Sequence, residues 1–165
     1  MQTTTAGAIG GVVAGAITSA VMLLGHETGL LKKSLSHDAQ DWLDRTFHTR
    51  DRFGNDGTET VEQITHYAAS AGLGMTYAGF RRFIPLPGVL AGAAFGAGVY
   101  AVGVAGVLPE LGVTKGERHA EPGQATERFL THLAFGAILG LVTDALRDQP
   151  GKTGQSRAVK ANAAA

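Results

Sequence analysis

The chain contains no cysteine. That excludes a disulfide framework, a thiolate metal site, covalent c-type haem attachment and a cysteine nucleophile. Charge is also missing, but only locally. The 14 basic and 14 acidic residues leave none in residues 6–25, 63–80, 83–109 or 129–143. A soluble chain of average composition places a charge about every fourth residue, so four such gaps mark segments suited to an apolar surrounding. Formal net charge is zero and no basic cluster carries interleaved aromatics, which speaks against a nucleic-acid partner. The opening MQTTTAG lacks the basic stretch of a secretory signal, so the first apolar segment is expected to stay as an anchor. No catalytic motif is present. GVVAGAITS has neither the preceding strand nor the lysine that a phosphate loop needs.

What is abundant is small residues. The 24 glycines and many alanines hold the mean hydropathy at +0.07 without adding polarity. Such residues are frequent in membrane helices because they let backbones approach closely. Twenty uncharged residues rise about 30 Å as a helix, the thickness of a hydrocarbon core. The sequence therefore predicts an all-α, polytopic membrane protein with spans near residues 5–26, 61–81, 85–109 and 127–147. The last charge-free window is short, and Asp144 and Arg147 at its end are expected to snorkel or pair at the interface. A soluble bundle would require a polar stripe at helical period, which these windows lack.

The connections are unequal. In the long charged loop 26–60, Leu31, Leu35, Trp42, Leu43 and Phe47 recur at roughly helical spacing with Lys, Asp and Arg between them. This predicts an amphipathic helix within 34–53, either on the membrane surface with Trp42 at headgroup level or packed on the ends of the bundle. FGNDG (53–57) is expected to end it as a turn. RRFIPLPG (81–88) joins spans two and three so tightly that they must be antiparallel neighbours. The loop 112–126 is polar, and the basic tail 148–165 is expected to be disordered. Basic residues are more numerous on the loop side, while the Arg81-Arg82 link and the basic tail favour cytoplasmic termini, which is the orientation expected here.

One phrase is written twice: THYAASAGLG (65–74) returns as THLAFGAILG (131–140). The repetition extends further. Gly7, Gly11 and Gly15 on span one match Gly88, Gly92 and Gly96 on span three. His66, Ser70 and Gly74 on span two match His132, Gly136 and Gly140 on span four. With two spans per unit, both copies run the same way, which predicts a parallel two-fold repeat about an axis along the membrane normal. The small residues on these stripes are the expected helix-packing positions.

The order of these parts resembles the YagU-like group of small bacterial inner-membrane proteins, a family of unknown function. The likeness lies in AITSAVMLLG ending the first span, a His-led second span, PGVLAGAAFG opening the third, LPELGV closing it, and the final THLAFGAILG. It covers most of residues 6–147. It implies a multi-pass protein of the bacterial inner membrane and brings no established activity.

His66 and His132 sit on the small-residue stripes, where helices touch, so both rings are expected to face protein at similar depth. Ionisable groups inside a membrane are costly and hence functional candidates. Imidazoles from two helices suit a transition metal or axial haem ligation, and Glu27 and Glu110, leaving the bundle on one side, would add carboxylates. The alternative is that each histidine bonds a neighbouring helix and pins the packing. His26, His37, His48 and His119 fall in polar loops and are expected to face solvent. Three functions remain: a non-catalytic accessory, assembly or stabilising subunit bound to a membrane partner or a second copy; a metal or haem protein; and a small-solute transporter or channel. The first follows best from the surplus of glycine stripes.

Overall fold

The computed structural model describes residues 2–29, 35–121 and 123–147, with the backbone alone for His26, Ser36 and His37. The tail 148–165 and the segment holding Leu31, Lys32 and Lys33 lie outside the described residues, as do the side chains of His26 and His37. Among the described residues every regular element is helical. They are α1 (Thr3–Glu27), α2 (Leu35–Phe47), α3 (Thr49–Arg81), α4 (Gly88–Val99), a π-helical segment (Tyr100–Val107), α5 (Leu108–Glu110), a 3-10 turn (Glu117–His119) and α6 (Gln124–Arg147). The stretches Thr3–Gly25, Gly88–Glu110 and Gln124–Arg147 are long and apolar enough to cross a membrane. Residues 61–81 are also helical, as part of α3. Gln63, Thr65, His66, Ser70 and Thr76 make that stretch less apolar than the other three.

Two expected boundaries move. The turn at 53–57 contracts to one residue, Gly54 (φ 71°, ψ −177°), and the helix resumes at once through Asn55–Gly57. Glycine takes this backbone conformation without the penalty of a Cβ, and the Thr58 hydroxyl donates to the Gly54 carbonyl (2.8 Å). The break that separates α2 from α3 falls instead at His48, whose φ is 51°. There the Asp44 carboxylate accepts the Arg50 N–H (2.8 Å), an otherwise unpaired donor of the new helix. The third span also changes character, since its second half is π-helical and the Leu108 N–H reaches back to Gly103. Pro109 explains the widening. A tight α turn would drive its ring into the carbonyl four residues back, and a π turn relieves that clash.

The long helices pair in two antiparallel seams, α1 with α3 and α4 with α6. Along the first, Gly7 meets Gly74, Gly11 meets Ser70, and Gly15 meets Ser70 and His66. Along the second, Gly88 meets Gly140, Gly92 meets Gly136, and Gly96 meets the backbone of His132. In each case the nearest atoms are partner backbone or a short side chain. A Cβ on Gly92 would stand 2.9 Å from the Gly140 Cα, and one on Gly74 would stand 3.0 Å from the Gly11 Cα. Helix propensity disfavours glycine by about 1 kcal/mol per residue, and close backbone contact offsets that in a medium without water.

The seams are joined around a shared core of Ala14, Tyr77, Ala91, Phe135 and Leu139, with Leu73, Ile84, Phe95 and Ile138 packed against it. α1 also lies along α6, where Gly10 faces Thr143 and Leu139. α3 and α4 stand further apart, and the gap is filled by the Tyr77 and Phe95 rings, 5.5 Å apart edge to face. The Tyr77 hydroxyl donates to the Gly88 carbonyl (3.3 Å). At the same end Arg81 grips Asp144 through two nitrogens (2.7 and 3.1 Å) and donates to the Ile84 carbonyl (2.7 Å). Asp144 thus pairs with a residue 63 positions away.

Gly11→Leu or Gly92→Leu is expected to cost about 3 kcal/mol or more, since a backbone cannot step aside as a side chain does. Gly72→Leu should cost nothing comparable, because no atom lies within 4 Å of where its Cβ would be. Thermal unfolding in detergent checks this, and equal melting temperatures for the three variants would remove the seam argument.

Candidate functional site at the loop end of the bundle

His66 and His132 differ in surroundings. The His66 Nε2 lies 3.1 Å from the Ser19 hydroxyl of α1, so this ring pins a neighbouring helix. It remains exposed at the rim of its seam, with Tyr67 edge-on at 5.4 Å. His132 is half-buried and its Nδ1 lies 2.7 Å from the Arg128 carbonyl one turn earlier, which fixes it to its own helix. Since a carbonyl only accepts, that nitrogen carries the proton. The His132 ring sits 6.0 Å from that of Tyr100. Glu27 and Glu110 are both exposed at helix ends. Among the described residues no group of three or more His, Cys, Asp or Glu is arranged to hold a metal ion. The structure therefore gives the two histidines separate partners.

The chemistry at this end centres on Arg128, whose side chain is only 6% exposed. Its guanidinium meets the Asp38 carboxylate of α2 at 2.7 Å and the Glu117 carboxylate at 3.2 Å. Two acids thus share one base. Among the described residues the buried Arg128 Nε and the second Glu117 oxygen have no hydrogen-bond partner. Tyr100, at the start of the π segment, lies beside Glu117 and donates to the Ala125 carbonyl (3.3 Å). It packs edge to face on Phe129 at 5.3 Å.

α2 lies across this end as a strap, packed on the end of the bundle. The Trp42 indole donates to the Leu111 carbonyl (2.9 Å) and Arg45 to the Gly112 carbonyl (3.3 Å). Gln40 donates to Glu62 of α3. With Asp38 on α6, the strap is tied to both seams. Beneath it is a polar cavity of about 350 Å³, walled by α2, the loop from Gly112 to Glu121, and Gln124 and Arg128 of α6. Left-handed glycines at Gly112 (φ 70°) and Gly116 (φ 82°) let the loop fold back over it. A second depression, shallow and about 680 Å³, runs along α3 between Asp56 and Tyr67.

Sequence reasoning treated Arg128 as the flank of a span and gave Asp38 and Glu117 no role. The available signal was one arginine at the edge of an apolar window. Its partners lie 90 and 11 positions away, and no spacing rule links them. In comparisons with known proteins, no family model, no curated protein and no solved structure matches the chain.

Arg128→Met is expected to destabilise the fold by about 3–5 kcal/mol, because the Asp38 and Glu117 carboxylates lose the cation held between them. Asp38→Asn should cost clearly less, since Glu117 continues to neutralise the arginine. Unfolding of the two variants in detergent checks the order, and the reverse order would show that Arg128 is not the centre of the cluster.

Proposed function

We propose that the chain crosses a bacterial inner membrane four times, residues 61–81 of α3 providing the second crossing. We assign it the role of a non-catalytic assembly or stabilising subunit. The fourfold crossing is supported by the seams. Residues 66–74 of α3 run antiparallel along residues 7–19 of α1 with backbones in contact, so a membrane that holds α1 holds this part of α3 at the same depth. The like spacing of glycine contacts in the two seams supports a parallel two-fold repeat. The inner-membrane setting follows from the YagU-like resemblance.

The observation that carries the subunit reading is the outer face of α3. It exposes Thr65, His66, Ala68, Ala69, Thr76 and Gly79 along with Ile64, Met75 and Phe80, and a Cβ at Gly72 or Gly79 would meet nothing. This is the least apolar of the long helices, and its outer face mixes small and polar side chains with a few large apolar ones. Lipid is a poor solvent for an imidazole, while another helix can cover it and approach the glycines closely. The occupant is a helix of a membrane-protein partner, with a second copy of the chain as the alternative outcome. The metal or haem reading has less support, because His66 and His132 engage different groups. A transport pathway would need a polar route at mid-span, whereas the two cavities above lie toward the loop end.

Native mass measurement after extraction in mild detergent tests the assignment. The expected result is a bound partner or a dimer that is lost in Gly72→Leu/Gly79→Leu with the melting temperature of the isolated chain unchanged. A wild-type chain that extracts alone as a monomer would overturn it. The termini are assigned to the cytoplasm from the Arg81-Arg82 link and the basic tail. A C-terminal reporter active only in the periplasm would reverse that orientation.

A further inference from the structure

We infer that the cavity beneath α2 binds a small zwitterion joining an oxyanion to a primary ammonium, the chemistry of an ethanolamine phospholipid headgroup. Its lining holds three acids, Asp38, Asp41 and Glu121, against three bases, Arg45, Lys115 and Arg128. Asp38 and Arg128 already pair with each other, while Lys115 and Glu121 make no ion pair among the described residues. A ligand carrying both charges engages these two.

At the anion end, the Arg128 guanidinium is committed to Asp38 and Glu117 and lends positive potential to the cavity it lines. Gln124, the first residue of the 24-residue α6, also lines the cavity, which brings the positive end of that helix dipole to it. The Lys115 ammonium has no side-chain partner among the described residues and adds a mobile positive charge. For the ammonium end, the Glu121 carboxylate has no partner among the described residues, and Asp41 meets Arg50 only at 3.4 Å on an exposed face. A primary ammonium donates hydrogen bonds to such carboxylates, and a quaternary one does not.

Size and place agree with this chemistry. The volume of about 350 Å³ is at the lower end for small-molecule sites, roughly 300–1,000 Å³. Trp42 and the exposed Leu111 stand beside it, where the apolar stretch Gly88–Glu110 ends. A headgroup in the cavity would therefore have its acyl chains outside, at the bilayer boundary. The same group also exists free in solution as phosphoethanolamine, and the two sources are separable.

The inference rests on the membrane placement proposed above and not on the partner assignment. Native mass spectrometry of the full chain, from micelles holding equal phosphatidylethanolamine, phosphatidylglycerol and phosphatidylcholine, is the test. Preferential retention of phosphatidylethanolamine is expected, falling about tenfold in Lys115→Gln and in Glu121→Gln for the loss of one charge-assisted contact. Neither side chain makes a bond to another side chain among the described residues, so both variants should keep the wild-type melting temperature. In a parallel arm, soluble phosphoethanolamine is added to delipidated protein. A rise in melting temperature that both substitutions abolish, without lipid retention, assigns the same site to the free zwitterion. Equal retention of the three lipids with no response to phosphoethanolamine overturns the inference, as does retention indifferent to both substitutions. A chain that extracts without a partner yet retains the lipid would refute the subunit reading and leave this one standing.

Discussion

Backbone meeting backbone along the glycine seams is the contact on which everything else in the molecule depends. Lipid tails are as apolar as leucine, so burying hydrocarbon between helices gains little in a bilayer. What remains is dispersion between surfaces that fit, and the fit is best where no side chain intervenes. Gly7, Gly11 and Gly74 on one side, and Gly88, Gly92, Gly136 and Gly140 on the other, supply it. Once the seams are closed, their relative position is set by bulk. Gly10 admits Thr143 between α1 and α6, while Tyr77 and Phe95 hold α3 and α4 apart.

The two ends of the bundle solve different electrostatic problems. At the end near Arg81, one base and one acid meet through two hydrogen bonds, a closed arrangement with the charges matched. At the loop end, Arg128 faces two carboxylates and retains an unpaired Nε. Polar groups left incomplete in a low-dielectric setting are costly, and a fold retains them where something else completes them. The strap α2 excludes bulk water from this cluster and leaves a polar cavity beside it.

The helical class and three helices apolar enough to cross a membrane were legible in the chain, because the absence of charge is a strong signal over twenty residues. Gly7, Gly11 and Gly15, spaced four apart on α1, lie against α3, and Gly88, Gly92 and Gly96, with the same spacing, lie against α6. Boundaries were harder. Gly54 was read within a turn of five residues, yet Thr58 restores the helix immediately, an effect of one hydroxyl that composition does not reveal. The π segment depends on Pro109 acting backward through a helix that otherwise looks uniform. The loop-end cluster was not legible. Asp38 and Arg128 are ordinary surface charges in sequence, and only the fold of α2 over the bundle makes them partners. The histidines were found because an ionisable group in an apolar window is conspicuous, but their different bonding depends on Ser19 in one case and the Arg128 carbonyl in the other.

Glu62 and Arg128 stand four residues ahead of His66 and His132, at corresponding places in the repeated phrase but with opposite charge. The strap presents Gln40 to the first and Asp38 to the second. This bears on how the protein is made. The two seams share one glycine spacing, so packing alone does not forbid the Gly7–Gly15 stripe of α1 from closing on the stripe of α6, or that of α4 on α3, during assembly. Charge distinguishes the arrangements, since an exchanged register brings Asp38 against Glu62. Asp38 is synthesised 90 residues before its partner, so the strap cannot close until the last helix has arrived. A truncated or mispaired chain leaves α2 unlatched, with an acidic and aromatic surface displayed where membrane proteases and chaperones inspect new proteins.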